Sequence, residues 1–325
     1  MSLPTRLNRN IGALSLLVAL AAVAGGAQAH EVRFVASYGD NANLCTRDAP
    51  CKTMQQGVNL TPTGGELIVL DSGDYGNDVT IGESITISAI GVSATLGGTI
   101  TIDNATATVV LRGLRLNGAG AASTGINILA AAAVHIDDCE IQSFGGIGIQ
   151  AEQAVDVRLF VSGSVSRNNG IDGLRFNAPT GSGGTLVVDN SRFENNLASG
   201  LDISDIDATI TRTIVSSNFT GIFQKRGTAN VTWTTTEHNL TYGYLAVLSE
   251  PGVMMTLERS VVRGNAVAGL HFSSGGTAVI SDSVVTNNGT GLSVQAGATL
   301  LTRRNNIVSG NTTDVSGIVI SLGGI

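Results

Sequence analysis

The sequence predicts an all-β solenoid, a right-handed parallel β-helix of roughly ten coils with a short N-terminal capping helix. Three observations predict it. A residue pattern returns at steps from 21 (Gly125 to Gly146) to 27 (Gly146 to Gly173). Val, Ile, Thr, Ser, Asn and 42 Gly dominate the chain, which suits short strands joined by tight turns. Stretches of strong helix formers are few. With 42% apolar and 13% charged residues the chain is too apolar for disorder.

Three regions follow in order. Residues 1–29 read as an export signal: Arg6 and Arg9 precede the apolar run IGALSLLVALAAVA at 11–24, and Ala27-Gln28-Ala29 offers a small-residue cleavage site. The run is shorter than the ~20 apolar residues that span a bilayer. No later segment reads as a transmembrane helix, so a secreted or periplasmic protein is expected. Residues 30–65 hold an N-terminal strand, a cysteine loop and the capping helix. In an oxidising compartment Cys45 and Cys51, in CTRDAPC, are expected to form a disulfide. In TMQQGVNL (53–60), Met54 and Val58 sit one helical turn apart, as in a short amphipathic helix that plugs the open end of a solenoid.

Residues 66–325 form the solenoid. ELIVL (66–70), DVTI (78–81), SITISA (84–89) and TITI (99–102) read as the first strands. From about residue 108 three columns repeat. The first runs from Gly113 and Cys139 through Ser164, Ser191, Thr213, Thr234, Ser260 and Ser283 to Asn306. The second runs from Gly118 and Phe144 through Asn169, Asn196, Asn218, Asn239, Asn265 and Asn288 to Asn311. The third opens a Gly-apolar-any-apolar segment at Gly125, Gly146, Gly173, Gly200, Gly221, Gly243, Gly269, Gly291 and Gly317. One coil cannot bury its own apolar face, so coils stack and equivalent residues lie over one another. The second-column asparagines are expected to tolerate left-handed backbone and to stack into an amide ladder. Four of them lie in Asn-x-Thr sequences, which the ladder explains better than glycosylation. Cys139 is expected to be a buried thiol.

The segment RFVASYGDNANLCTRDAPCKTMQQGVNLTPTGGELIVLDSGDYGNDVTIGESITISA (33–89), with LRGLRLNG (111–118), HIDDCEIQ (135–142) and GNTTD (310–314), resembles bacterial secreted proteins of the pectate-lyase-like superfold. The resemblance spans the chain after the export signal and implies a right-handed parallel β-helix. Lyases, hydrolases, esterases, epimerases and adhesins share that superfold, so it transfers no chemistry. VHIDDCEI (134–141) is similar to the V-W-I-D-H coil of pectate lyases, with His135 in place of the Trp and Asp138 in place of the His. The lyase R-x-P-x-x-R segment is missing. Of the polygalacturonase-like marks only Asp137-Asp138 matches. A lyase would bring Ca2+, held by carboxylates; otherwise no cofactor and no metal site is expected.

Two outward stripes carry the candidate chemistry. Asp137, Asp138, Asp189, Arg212, Glu258, Arg259, Asp282 and Arg304 read as a solvated face of alternating charge. Asn127, Arg175, Asp202, Phe223 and His271, with Gln224 and Lys225 beside them, place a carboxylate, cations and an imidazole within a few coils. The catalytic candidates are therefore Asp137, Asp138, Arg175, Asp202, Lys225 and His271. Phe223, Trp233, Tyr242 and Tyr244 are the candidates for stacking on sugar rings. The net charge of −7 and the lack of a basic cluster argue against nucleic acid. The expected function is a non-catalytic surface or periplasmic solenoid that binds a polysaccharide or a cell-surface protein. The alternative is a lyase or glycoside hydrolase acting on an acidic polysaccharide.

Overall fold

The computed structural model describes residues 31–121, 123–152, 156–247, 254–273 and 275–322. The export signal expected at 1–29 and residue His30 lie outside the described residues. The chain forms a parallel β-solenoid whose coils each carry three strands in the order A, B, C. One coil is Ile147–Glu152 (A), Arg158–Ser162 (B) and Val165–Arg167 (C). Each strand pairs in parallel with its copies in the adjacent coils. Face C is an 11-stranded sheet, close to the expected number of coils. Faces A and B merge into one 22-stranded sheet because Ile100–Arg112 and Thr124–Asp137 run through both.

The N-terminal strand Val32–Val35 enters on face B beside Gly65–Val69. The Cys45–Cys51 disulfide closes the loop behind it, and Phe34 and Ala36 donate their amides to the Cys45 and Cys51 carbonyls. The one helix among the described residues, Met54–Leu60, is capped by Thr53, whose hydroxyl accepts from the Gln56 amide. It buries Met54 and Gly57 at the end of the core, while Val58 stays half-buried.

Alternate residues point inward along most strands, as a period of two requires. Leu174, Phe176, Leu201 and Ile203 on face A meet Val188 and Ile210 on face B and Phe193 and Val215 on face C in one continuous core. Two polar columns run through this interior. In the first, the amides of Cys139, Ser164, Thr234 and Ser260 donate to the hydroxyls of Ser164, Ser191, Ser260 and Ser283 one coil on. Cys139 is 2% exposed in this column. In the second, each Asn side chain donates to the next: Asn169 to Asn196 at 2.9 Å, Asn196 to Asn218 at 3.0 Å, and so on to Asn311, which donates to Asp314.

The structure corrects three register expectations and one of backbone conformation. The inward partner of Cys139 is Leu114, not Gly113, because Glu140 pairs with Arg115. The glycine equivalent to Gly173 is Gly148, not Gly146, because Ile149 pairs with Leu174. In the last coil Leu292 pairs with Val315, so Asp314, not Gly317, stands above Gly291. The ladder asparagines are not left-handed: the residue before takes positive φ, as at Asn168, Asn195, Ser217, His238 and Asn287. That frees the ladder amide to turn inward while its neighbour turns the chain.

Candidate functional site

Outward on face A the register runs Gln150, Arg175, Asp202, Phe223, Leu245, His271. Arg175 joins two carboxylates and lies 4.0 Å from a third, that of Glu152. Its Nη2 lies 2.5 Å from Asp172 Oδ2, and its Nε lies 3.2 Å from Asp202 Oδ2. Asp172 is fully used, since its Oδ1 also accepts the Ser199 amide at 2.7 Å. Asp202 is 7% exposed and its Oδ1 has no hydrogen-bond partner. Burial, and then the Asp172 charge, push its carboxyl above the usual range, against the pull of Arg175 and Lys225. Lys225 places its ammonium 5.2 Å from the centre of the Phe223 ring. Arg175, Asp202 and Lys225 thus share one neighbourhood, but the free oxygen of Asp202 is shut inside the surface.

The other face A candidates stand apart. His271 is three coils beyond Asp202; its Nδ1 faces Ser293 Oγ at 2.9 Å and its ring lies 4.9 Å from that of Tyr242. Burial lowers its pKa. Tyr244 is not a ligand platform: it points inward, is 1% exposed, and donates its hydroxyl to Gln224 Oε1. Gln224 is likewise inward, not beside the stripe. No group of three or more His, Cys, Asp or Glu able to hold a metal forms among the described residues. These residues do not offer a calcium cradle.

The first stripe resolves into two columns at the corner between faces B and C. Asp137, Asp189 and Glu258 end strands of face B. Asp138, Gly163, Asn190, Arg212, Trp233, Arg259, Asp282 and Arg304 are the following turn residues, each with φ between 47° and 63°. Their amides bond in register to the next coil, as from Arg212 to Thr232 O and from Trp233 to Glu258 O, both 3.2 Å. They form a ridge along the solenoid. Trp233 stands on it 60% exposed, with the Arg259 guanidinium 5.4 Å from its ring centre. It stands on a different part of the coil from Phe223, which lies on face A in Thr220–Gln224.

Beside the ridge opens a cleft of about 860 Å³. It is lined by Gly113, Gly163 and Val165, by the polar side chains of Asp138, Glu140, Arg115, Arg167, Arg192 and Glu194, and by the segment 89–93. The depression has a sequence cause. Gly113 and Gly163 flank Asp138 in the turn column where every later coil carries a side chain, from Asn190 and Arg212 to Arg304. The early coil also needs five residues, 89–93, to pass from Ile85–Ser88 to Ala94–Leu96, where most later coils use two. Of the candidates only Asp138 lines this cleft; Asp137 faces Arg112 at 3.3 Å.

Comparison with known proteins agrees with the architecture. The family model "Right handed beta helix region" matches residues 180–313. Pectate lyase Pel9A is similar in structure, with TM-score 0.54 and 16% identity over 87% of this chain and 77% of its own. The A-module of mannuronan C-5 epimerase AlgE4 from Azotobacter vinelandii gives TM-score 0.50 and 15% identity over 80% of this chain and 91% of its own. No curated protein sequence matches the chain. At these identities the likeness shows the fold: a right-handed parallel β-helix.

Proposed function

We propose that this right-handed parallel β-helix protein is an exported carbohydrate-binding solenoid, which holds a saccharide chain along the ridge between faces B and C. The observation that carries the reading is Trp233. Its indole is 60% exposed, fixed on a one-residue left-handed turn, and flanked by Arg212 and Arg259 in the adjacent coils. An aromatic ring beside planar hydrogen-bonding groups matches the two sides of a sugar, its apolar C–H face and its hydroxyl edge. The cleft lies beside the same ridge, with Gly163 three turn residues and Gly113 five before Trp233. At ~4.8 Å per coil Gly163 and Trp233 stand about 14 Å apart, a span for a linear chain.

The alternative, a lyase or hydrolase, needs an acid or base that reaches its substrate. Asp202 keeps its unpartnered oxygen buried on another face, and in the cleft Glu140 and Glu194 are held in ion pairs by Arg115, Arg167 and Arg192, which favours binding over catalysis. Trp233 is the chain's one tryptophan, so its fluorescence reports directly on the ridge. Titration with a panel of oligosaccharides is expected to shift that fluorescence and saturate. By calorimetry Trp233→Ala is expected to lose at least about tenfold in affinity. Undiminished binding by that variant would move the site elsewhere.

A further inference from the structure

We infer that the ridge and its cleft are built for a neutral, linear saccharide and not for a polyanion. The inference rests on the carbohydrate-binding reading and specifies its ligand class. The charges along the site are already matched. Arg115 and Arg167 share Glu140, at 3.8 and 2.5 Å, and Arg192 pairs with Glu194. On the ridge Arg212 pairs with Asp189, and Arg259 faces Glu258 at 3.4 Å. Asp138 adds a further carboxylate to the cleft wall.

A uronate or sulfate arriving here would compete for each guanidinium with the carboxylate it already faces, and would be repelled by that carboxylate. It would also meet a chain of net charge −7. A sugar hydroxyl meets no such conflict, because it accepts from a guanidinium N–H and donates to the neighbouring carboxylate oxygen without breaking the pair. Paired Arg and Glu side chains are also held in fixed orientations, so less side-chain freedom is lost on binding.

The test uses the protein's own tryptophan. Neutral linear oligosaccharides derived from cellulose, xylan, mannan and starch are titrated beside galacturonate and guluronate oligosaccharides of similar length. At least one neutral series is expected to saturate, to bind more tightly as the chain lengthens, and to change less than about twofold between ~0.05 and ~0.5 M salt. Arg212→Gln, an exposed ridge residue, is expected to weaken the neutral ligand without creating salt dependence. Preferential binding of the acidic series by about tenfold or more, falling with salt, would overturn this inference and leave the carbohydrate reading standing. No binding of any member, by fluorescence and by calorimetry, would sink both.

Discussion

Gly221 lies directly against the Asn239 amide of the next coil. A methyl group at Gly221 would stand 2.9 Å from Asn239 Nδ2 and 2.3 Å from the Gly243 carbonyl oxygen. The same approach recurs from Gly173 to Asn196, Gly200 to Asn218, Gly243 to Asn265 and Gly269 to Asn288. None of these glycines has positive φ. The glycine column exists because the asparagine ladder fills the space of a side chain, not because the turn needs glycine's backbone freedom. Gly221→Ala is therefore expected to lose about 3 kcal/mol, since a carbonyl cannot yield as a side chain tip can. Urea unfolding measures it; a loss under about 0.5 kcal/mol would show that the ladder is slack.

That coupling marks how far the sequence alone could be read. Serine-like, asparagine and glycine columns were legible because stacking demands the same residue at the same place in every coil. Register failed where the local sequence offers two choices. Gly145-Gly146-Ile147-Gly148 permits either glycine, and only the pairing of Ile149 with Leu174 selects Gly148. Tyr244 was misplaced although it follows the ladder glycine, a position that faces inward in the neighbouring coils at Ile222 and Leu270. The cleft was not legible, because it arises from what two coils lack at Gly113 and Gly163 and from one longer turn. Such non-repeating features carry no periodic signal.

Cys139 replaces a hydroxyl in the first column. Its Sγ lies 3.3 Å from the Asp137 carbonyl oxygen and 3.5 Å from that of Leu111. Burial pushes its thiol up to about 12. The native protein is therefore expected to leave one thiol unreactive to alkylation at neutral pH and to expose it only on unfolding. Cys139→Ser is expected to change stability by less than about 1 kcal/mol, because Ser makes the same bonds in the adjacent coil. Fast alkylation of the folded protein would contradict the burial.

Asp202 makes a prediction of the opposite sign to most surface carboxylates. Its folded-state pKa is raised, so its contribution favours the fold below the ordinary carboxylate value and is lost as pH rises through the folded value. Asp71 and Asp189 have lowered values and act in reverse, losing stability as pH falls. Subtracting a variant isolates the one residue. Asp202→Asn is expected to gain up to about 1 kcal/mol on wild type at pH ~7, because the amide removes a buried charge whose Oδ1 has no partner. The gain should shrink as pH falls toward ~4. Unfolding curves across that range decide it, and a pH-independent difference would mean that Asp202 stays charged at ease beside Arg175.

Trp233 is expected to trade stability for binding. A bulky residue at φ 53° costs on the order of 1–3 kcal/mol, and an exposed indole recovers little of it by burial. Asn190 takes the same turn two coils earlier at φ 47° with a side chain suited to it. Trp233→Asn should therefore raise the midpoint of thermal unfolding while removing the heat of saccharide binding. If the variant were less stable than wild type, Trp233 and its contact with Arg259 would be holding the corner together, and the ridge would lose its case as a binding surface. A gain in stability coupled to a loss of binding is what residues retained for their ligand produce.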